Sequence, residues 1–116
     1  MKHVYLKFIQ NDKKYTIGAL CQRHGKYYFK LAYGYEELVK KFAVLKNKIP
    51  FKNEKCIYES KELFAIFKSR VPDIKNYNEY EMKELLEMYN LEEYDEFEFL
   101  KITKGQLIKD NFLVEV

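Results

Sequence analysis

The side chains able to do chemistry are few and scattered. The chain of 116 residues has two histidines, His3 and His24, and two cysteines, Cys21 and Cys56. His3 opens a strand-like segment and His24 falls in a turn, and neither stands at metal-ligand spacing from a second His or a Cys. No CxxC is present, and two cysteines cannot build a disulfide framework. A nucleophilic cysteine needs a histidine base and an orienting group, which the sequence does not place beside either thiol. Cys21 shares the parity of Ile17 and Ala19 and is expected to be a small core residue. Carboxylates abound in 79–98. Acid–base work needs one of a pair raised in pKa by an apolar pocket, whereas these fall on helix faces that read as wet. Neither common glycine-rich phosphate loop occurs. The expectation is a protein that is not an enzyme, with no cofactor and no metal.

The elements that would carry these residues read as α+β. Residues 4–9 alternate, with Val4, Leu6 and Phe8 on one side. Residues 15–21 alternate through Tyr15, Ile17, Ala19 and Cys21, and 26–32 through Tyr27, Phe29 and Leu31. Asn11–Lys14 and His24-Gly25 supply turns, so the three strands form an antiparallel meander, a partly curled sheet. A helical turn at 36–40 is followed by extended chain, a loop marked by Pro50 and Asn53, and a short strand at 56–58. Ser60 stands as N-cap of a helix carrying Leu63, Phe64, Ile66, Phe67 and Val71, which Pro72-Asp73 ends. A second helix spans 79–90, with Glu79 and Glu81 suited to its positive end. Asp95 with Glu98 resembles a capping box opening a third helix that Gly105 ends, and Phe97, Leu100 and Ile102 are its expected buried positions. Residues 111–116 read as a closing strand. Residues 1–116 are therefore expected to form a single domain, a meander covered by two or three short helices.

Composition narrows the partner. Of 21 basic residues only Arg23 and Arg70 are Arg, and there are 11 Tyr and 9 Phe but no Trp. The net charge of +3 hides a split. Residues 1–78 carry 17 basic and 7 acidic side chains, whereas 79–98 carry nine acids and one Lys. Arginine provides the bidentate base contacts of specific readers, so its scarcity argues against direct nucleic-acid binding. No apolar run approaches the roughly 20 residues of a membrane span. Lys7 interrupts the apolar start, so no signal peptide is read there, and a reduced, cytoplasmic setting is expected.

One stretch stands apart, Glu62-Leu63-Phe64-Ala65-Ile66-Phe67-Lys68-Ser69-Arg70-Val71-Pro72. Its Glu-Leu-Phe-x-x-Phe-x-x-Arg-Val-Pro pattern resembles a segment in the small N-terminal subdomain of HipA-type serine/threonine kinase toxins. It is still more similar to free-standing, HipS-like proteins made of that subdomain alone. Upstream, Ile17-Gly18-x-Leu20, Gly25 and Phe29-x-Leu31-x-Tyr33 are similar to the family's second and third strands. Downstream, Tyr94-Asp95-x-Phe97-x-Phe99-Leu100-Lys101 and Gly105 are similar to its later helix and glycine. The likeness spans roughly residues 4–115. Where relatives often have Arg-Pro this chain has Asn76-Tyr77, and Phe64 stands where some carry Trp.

The resemblance implies a non-catalytic, antitoxin-like regulator that binds and restrains a separate HipA-type kinase. It implies partner-binding roles for Phe64 as the inserted ring, Phe67 as its packing support and Arg70 as a polar anchor, with Pro72 closing the segment. A second reading needs no family: a small inhibitor or adaptor that engages a different, basic enzyme through the acidic 79–98 face.

Overall fold

The structure, a computed structural model, describes residues 2–107 and 110–116. Strands β1 (Lys2–Gln10), β2 (Lys13–Arg23) and β3 (Lys26–Leu31) form the expected meander. Gln10 pairs with Lys13 and Arg23 with Lys26, which leaves two-residue turns at Asn11-Asp12 and His24-Gly25. All four turn residues have positive φ. That is the geometry whose twist matches a tight hairpin. Helices α1 (Tyr35–Lys41) and α2 (Leu45–Lys48) follow, then β4 (Tyr58–Ser60), α3 (Ala65–Lys68), α4 (Glu79–Met88), α5 (Glu96–Thr103) and β5 (Phe112–Glu115). The sheet is antiparallel and open, in the order β4-β3-β2-β1-β5. The last strand thus lies beside the first, pairing Leu6 with Val114 and Phe8 with Phe112.

One face of the sheet carries the core. Val4, Leu6, Phe8, Leu20, Phe29, Leu31, Phe112 and Val114 point into it and meet Leu45, Ile49, Phe67, Phe97 and Leu100 from the helical side. A bulge sets which residues of β2 take part. Leu6 faces Gly18 and Lys7 faces Thr16, so Ile17 is the extra residue between them. Ile17 and Gly18 are buried side by side, and the parity of the strand slips by one. This corrects the expectation for Cys21. Beyond the bulge, Leu20 turns inward, while Ala19 and Cys21 lie on the outer face, where Cys21 is half-buried and free.

Gly18 is needed for close approach. A Cβ there would stand 2.5 Å from both the Lys30 carbonyl oxygen and the Phe29 ring. Gly18→Ala is expected to cost about 3 kcal/mol, the upper part of the range for overpacking, because one obstacle is backbone. A lowered thermal midpoint, followed by circular dichroism, checks this.

Other local expectations are corrected. The helix foreseen from Ser60 to Val71 shrinks to one turn. Ser60 ends β4, its Oγ accepting from the Glu62 N–H, and Phe64 holds the N-cap position with extended backbone. The chain after α1 makes the single turn of α2 before Ile49 instead of running extended. Asp95 caps α5 by accepting from the Phe97 N–H, but Glu98 turns away to Lys2, at 3.0 Å, so no box closes. The box forms instead on α4, between Asn78 and Glu81. In α5 Ile102 is exposed, and Phe99 is the buried residue in its place. Phe99 holds α4 to the domain, its ring 4.7 Å from Tyr89 and 6.1 Å from Tyr94.

Tyr35, buried at the start of α1, makes a long 3.5 Å contact from its hydroxyl to the Leu45 carbonyl. Burial pushes its phenol up to about 12. The unfolded chain gives up this proton near pH 10, so stability is flat below about pH 10, falls as pH rises and levels off above about 12. The loss from this group is on the order of 2 kcal/mol. Tyr94, raised to about 12 chiefly by burial, adds a second loss of the same sign. Tyr35→Phe should leave neutral-pH stability nearly unchanged and shrink the alkaline loss, as read by urea unfolding across that window.

Candidate partner-binding site

The segment that carries the family resemblance lies over the β3–β4 end of the core. Leu63 and Phe67 are four residues apart and both point inward, Phe67 with no exposed surface. Phe64 is different. It precedes the helical turn with φ −59° and ψ 144°, and its carbonyl accepts from the N–H groups of Phe67 and Lys68. Its half-buried ring lies at the margin of an aromatic cluster. Phe51 stacks on Phe29 at 4.2 Å, and Phe64 stands edge-on to Phe51 at 5.2 Å and an interplanar angle of 88°. Tyr58 flanks Phe51 at 4.8 Å. This stacked pair holds the Phe64 ring, 6.5 Å from Phe29 as well, and the residue stays partly exposed.

Arg70 turns inward, against its expected role as an anchor for a partner. It is 8% exposed. Nε donates to the Ile66 carbonyl at 3.1 Å, and Nη1 to the Gly105 carbonyl at 2.9 Å. Nη1 and Nη2 grip the Asp110 carboxylate at 3.3 and 2.7 Å, a bidentate pair. The guanidinium also lies 5.6 Å from the centre of the Phe112 ring. One side chain therefore joins α3, the end of α5 and the approach to β5. Pro72 is half-buried, and its carbonyl accepts from the Tyr94 hydroxyl at 3.2 Å. Lys68, on the exposed side of α3, is held to Glu96 at 2.5 Å, and that contact raises its pKa.

Of the four residues, Phe64 is thus the one whose ring reaches the surface with no polar tie. Phe67 packs in the core against Phe29, and Arg70 is spent within the fold. Sequence reasoning missed Phe51, which seats Phe64 and is itself flanked by Tyr58, and Asp110, which holds Arg70. Asp110 is forty residues from Arg70, and nothing in local spacing links the two.

A second surface lies on α4. Although ten residues long, α4 has no buried residue. Met82 and Leu86 line a shallow groove of about 540 Å³ with Tyr77 and Leu91, edged by Glu79, Glu87 and Glu92. Met88 and Tyr80 are largely exposed. An isolated helix of this length is marginal in water, so its own packing through Tyr89 and its capping box must hold it.

The fold class is α+β, an open antiparallel sheet with short helices on one face. Comparison with protein-family models, curated proteins and solved structures returns no match. The likeness to the HipA-type subdomain therefore rests on the sequence motifs alone. Among the described residues no helix is long and apolar enough to cross a membrane.

Proposed function

We propose that this chain is a non-catalytic regulator, antitoxin-like, that binds and restrains a separate HipA-type serine/threonine kinase in the cytoplasm. The observation that supports this reading most is the position of Phe64. Within the family-like segment, Leu63, Phe67 and Arg70 are consumed by the interior, while the Phe64 ring stands edge-on to Phe51 at the margin of the core and is partly exposed. A seated ring loses little freedom on entering a partner's pocket, and such an anchor is worth about 2 kcal/mol or more. Phenylalanine has no N–H to donate, so recognition there would be by shape and apolar burial.

The test is co-expression with a HipA-type kinase chain that lacks its own N-terminal subdomain. Co-elution and relief of growth inhibition are expected. Phe64→Ala should weaken binding about thirtyfold, the equivalent of about 2 kcal/mol, with the far-ultraviolet dichroism spectrum retained. A kinase that elutes alone in the presence of the folded wild-type chain overturns the proposal.

The α4 groove supports a second reading, an inhibitor or adaptor whose acidic helix docks a basic partner protein. Glu84→Gln/Glu87→Gln should then weaken capture and flatten its salt dependence. Unchanged capture by this variant excludes that reading.

A further inference from the structure

The outer face of the sheet is unused by both readings. The register places His3, Tyr5 and Lys7 of β1 beside Cys21, Ala19 and Thr16 of β2, and Tyr28 and Lys30 of β3 beside Cys21 and Ala19. Arg23 and Lys26 pair at the hairpin end of the same face. The helices contribute their buried side chains to the opposite face. The outer residues instead contact one another. Lys7 lies 5.7 Å from the Tyr5 ring centre and donates to Thr16 at 2.6 Å, Arg23 lies 5.7 Å from the Tyr28 ring, and His3 is edge-on to Tyr5 at 5.4 Å.

Two features make this face a site rather than a mixed surface. The first is relief. Small residues, Ala19 and Cys21, occupy the central strand, with Tyr5 on one neighbour and Tyr28 on the other. The two rings root two strand spacings apart, about 10 Å, across a shallow trough. The second is charge. Lys7, Lys14, Arg23, Lys26 and Lys30 face outward against two carboxylates, and both carboxylates are already paired: Glu115 with Lys14 at 2.8 Å and Glu59 with Lys26 at 3.0 Å. Lys30 donates to the Glu54 carbonyl and Lys7 to Thr16, so neither charge is neutralised by those contacts. Grooves continue past both corners. Tyr5 and Lys7 wall a groove of about 470 Å³ with Lys104, Glu115 and a Lys101 that is paired with Glu98, and Arg23 shares one of about 440 Å³ with His24 and a Lys2 that is paired with Asp95 and Glu98.

We propose that this basic, tyrosine-bearing face binds single-stranded nucleic acid, with bases stacked on Tyr5 and Tyr28 and the phosphates held by Lys7, Lys30 and Arg23. A flexible polyanion with planar groups matches both the rings and the charge, whereas an acidic protein surface matches only the charge. Bases already stacked and paired in a duplex are not free to stack on the two rings. Stacking is tolerant of sequence, and so is phosphate contact by lysine, so the scarcity of arginine limits specificity rather than binding.

The experiment is fluorescence anisotropy of the full chain with labelled oligothymidylate and oligouridylate of about twelve nucleotides. Binding should weaken about twentyfold between about 50 and about 200 mM salt, as three phosphate contacts on a single strand require. Tyr5→Ala/Tyr28→Ala should weaken it at least about tenfold with the salt slope retained, and Tyr5→Phe/Tyr28→Phe should restore it. Lys7→Gln/Arg23→Gln should lower the slope. The ring resonances of Tyr5 and Tyr28 should shift upfield on binding to the wild-type chain, a readout that needs no variant to fold. Absence of binding at about 50 mM salt overturns the proposal. So does equal competition by polyglutamate with the tyrosine resonances unmoved, which would mark a surface for any polyanion, acidic proteins included. A duplex of equal charge that binds as tightly as the single strand overturns the stacking role.

Discussion

Arg70→Ala is expected to remove about 3–5 kcal/mol of folding stability, the range found when one partner of a buried pair is deleted. The change strips the donors from Ile66 and Gly105 and from both oxygens of Asp110. Two of these partners are backbone carbonyls that stay where they are: Ile66 keeps the Ser69 hydroxyl at 3.2 Å, but Gly105 loses the guanidinium that bonds it. A domain of this size has about 5–15 kcal/mol in all, so a large part of it is at stake. Asp110→Asn is the informative companion. It keeps an acceptor for the guanidinium and leaves both carbonyl bonds, so its cost should be nearer about 1 kcal/mol. Urea unfolding of the two variants checks the order. Equal, small losses would show that Arg70 does not join the two halves of the chain.

Phe67→Ala is the second large effect, about 3–5 kcal/mol, because the ring is fully enclosed and packs 5.8 Å from Phe29. Phe64→Ala should cost less, about 2 kcal/mol, since the ring packs on the edge of the core and is partly exposed, so no sealed cavity is left behind. The contrast distinguishes an interior residue from an edge one within a single turn of helix. If Phe64→Ala proved as costly as Phe67→Ala in urea unfolding, Phe64 would be a core residue and the kinase-binding proposal would lose its anchor.

The strands were legible because alternation is a local property: Val4, Leu6 and Phe8, or Tyr27, Phe29 and Leu31, declare a buried face within six residues. The bulge at Ile17 was not legible. Its only trace is two inward residues in succession, and a run of small apolar residues from Ile17 to Cys21 fits either parity. The 61–71 segment was read as a longer helix because its apolar spacing suits one. The structure spends that spacing differently, with extended chain carrying Leu63 inward and a single turn placing Phe67. Ile102 and Phe99 exchanged roles because α5 is gripped from two sides, by the sheet through Phe97 and Leu100 and by α4 through Phe99. Helical periodicity reports one face at a time. The tyrosines and lysines of the outer sheet face were visible as the other parity of the same strands. Their grouping around Ala19 and Cys21 depends on cross-strand register, which no single segment encodes.

The pairing of β5 with β1 has a consequence for biosynthesis. A ribosome delivers β1 first and residues 112–115 some hundred residues later, so one edge of β1 waits without its strand partner while the residues between are made. The nascent hairpins can form in the meantime, but Leu6 and Phe8 lack Val114 and Phe112 beside them until β5 is made. A chaperone that covers extended apolar strands would find its substrate there, and a transcript cut short before codon 112 would release a chain with that edge permanently open to self-association.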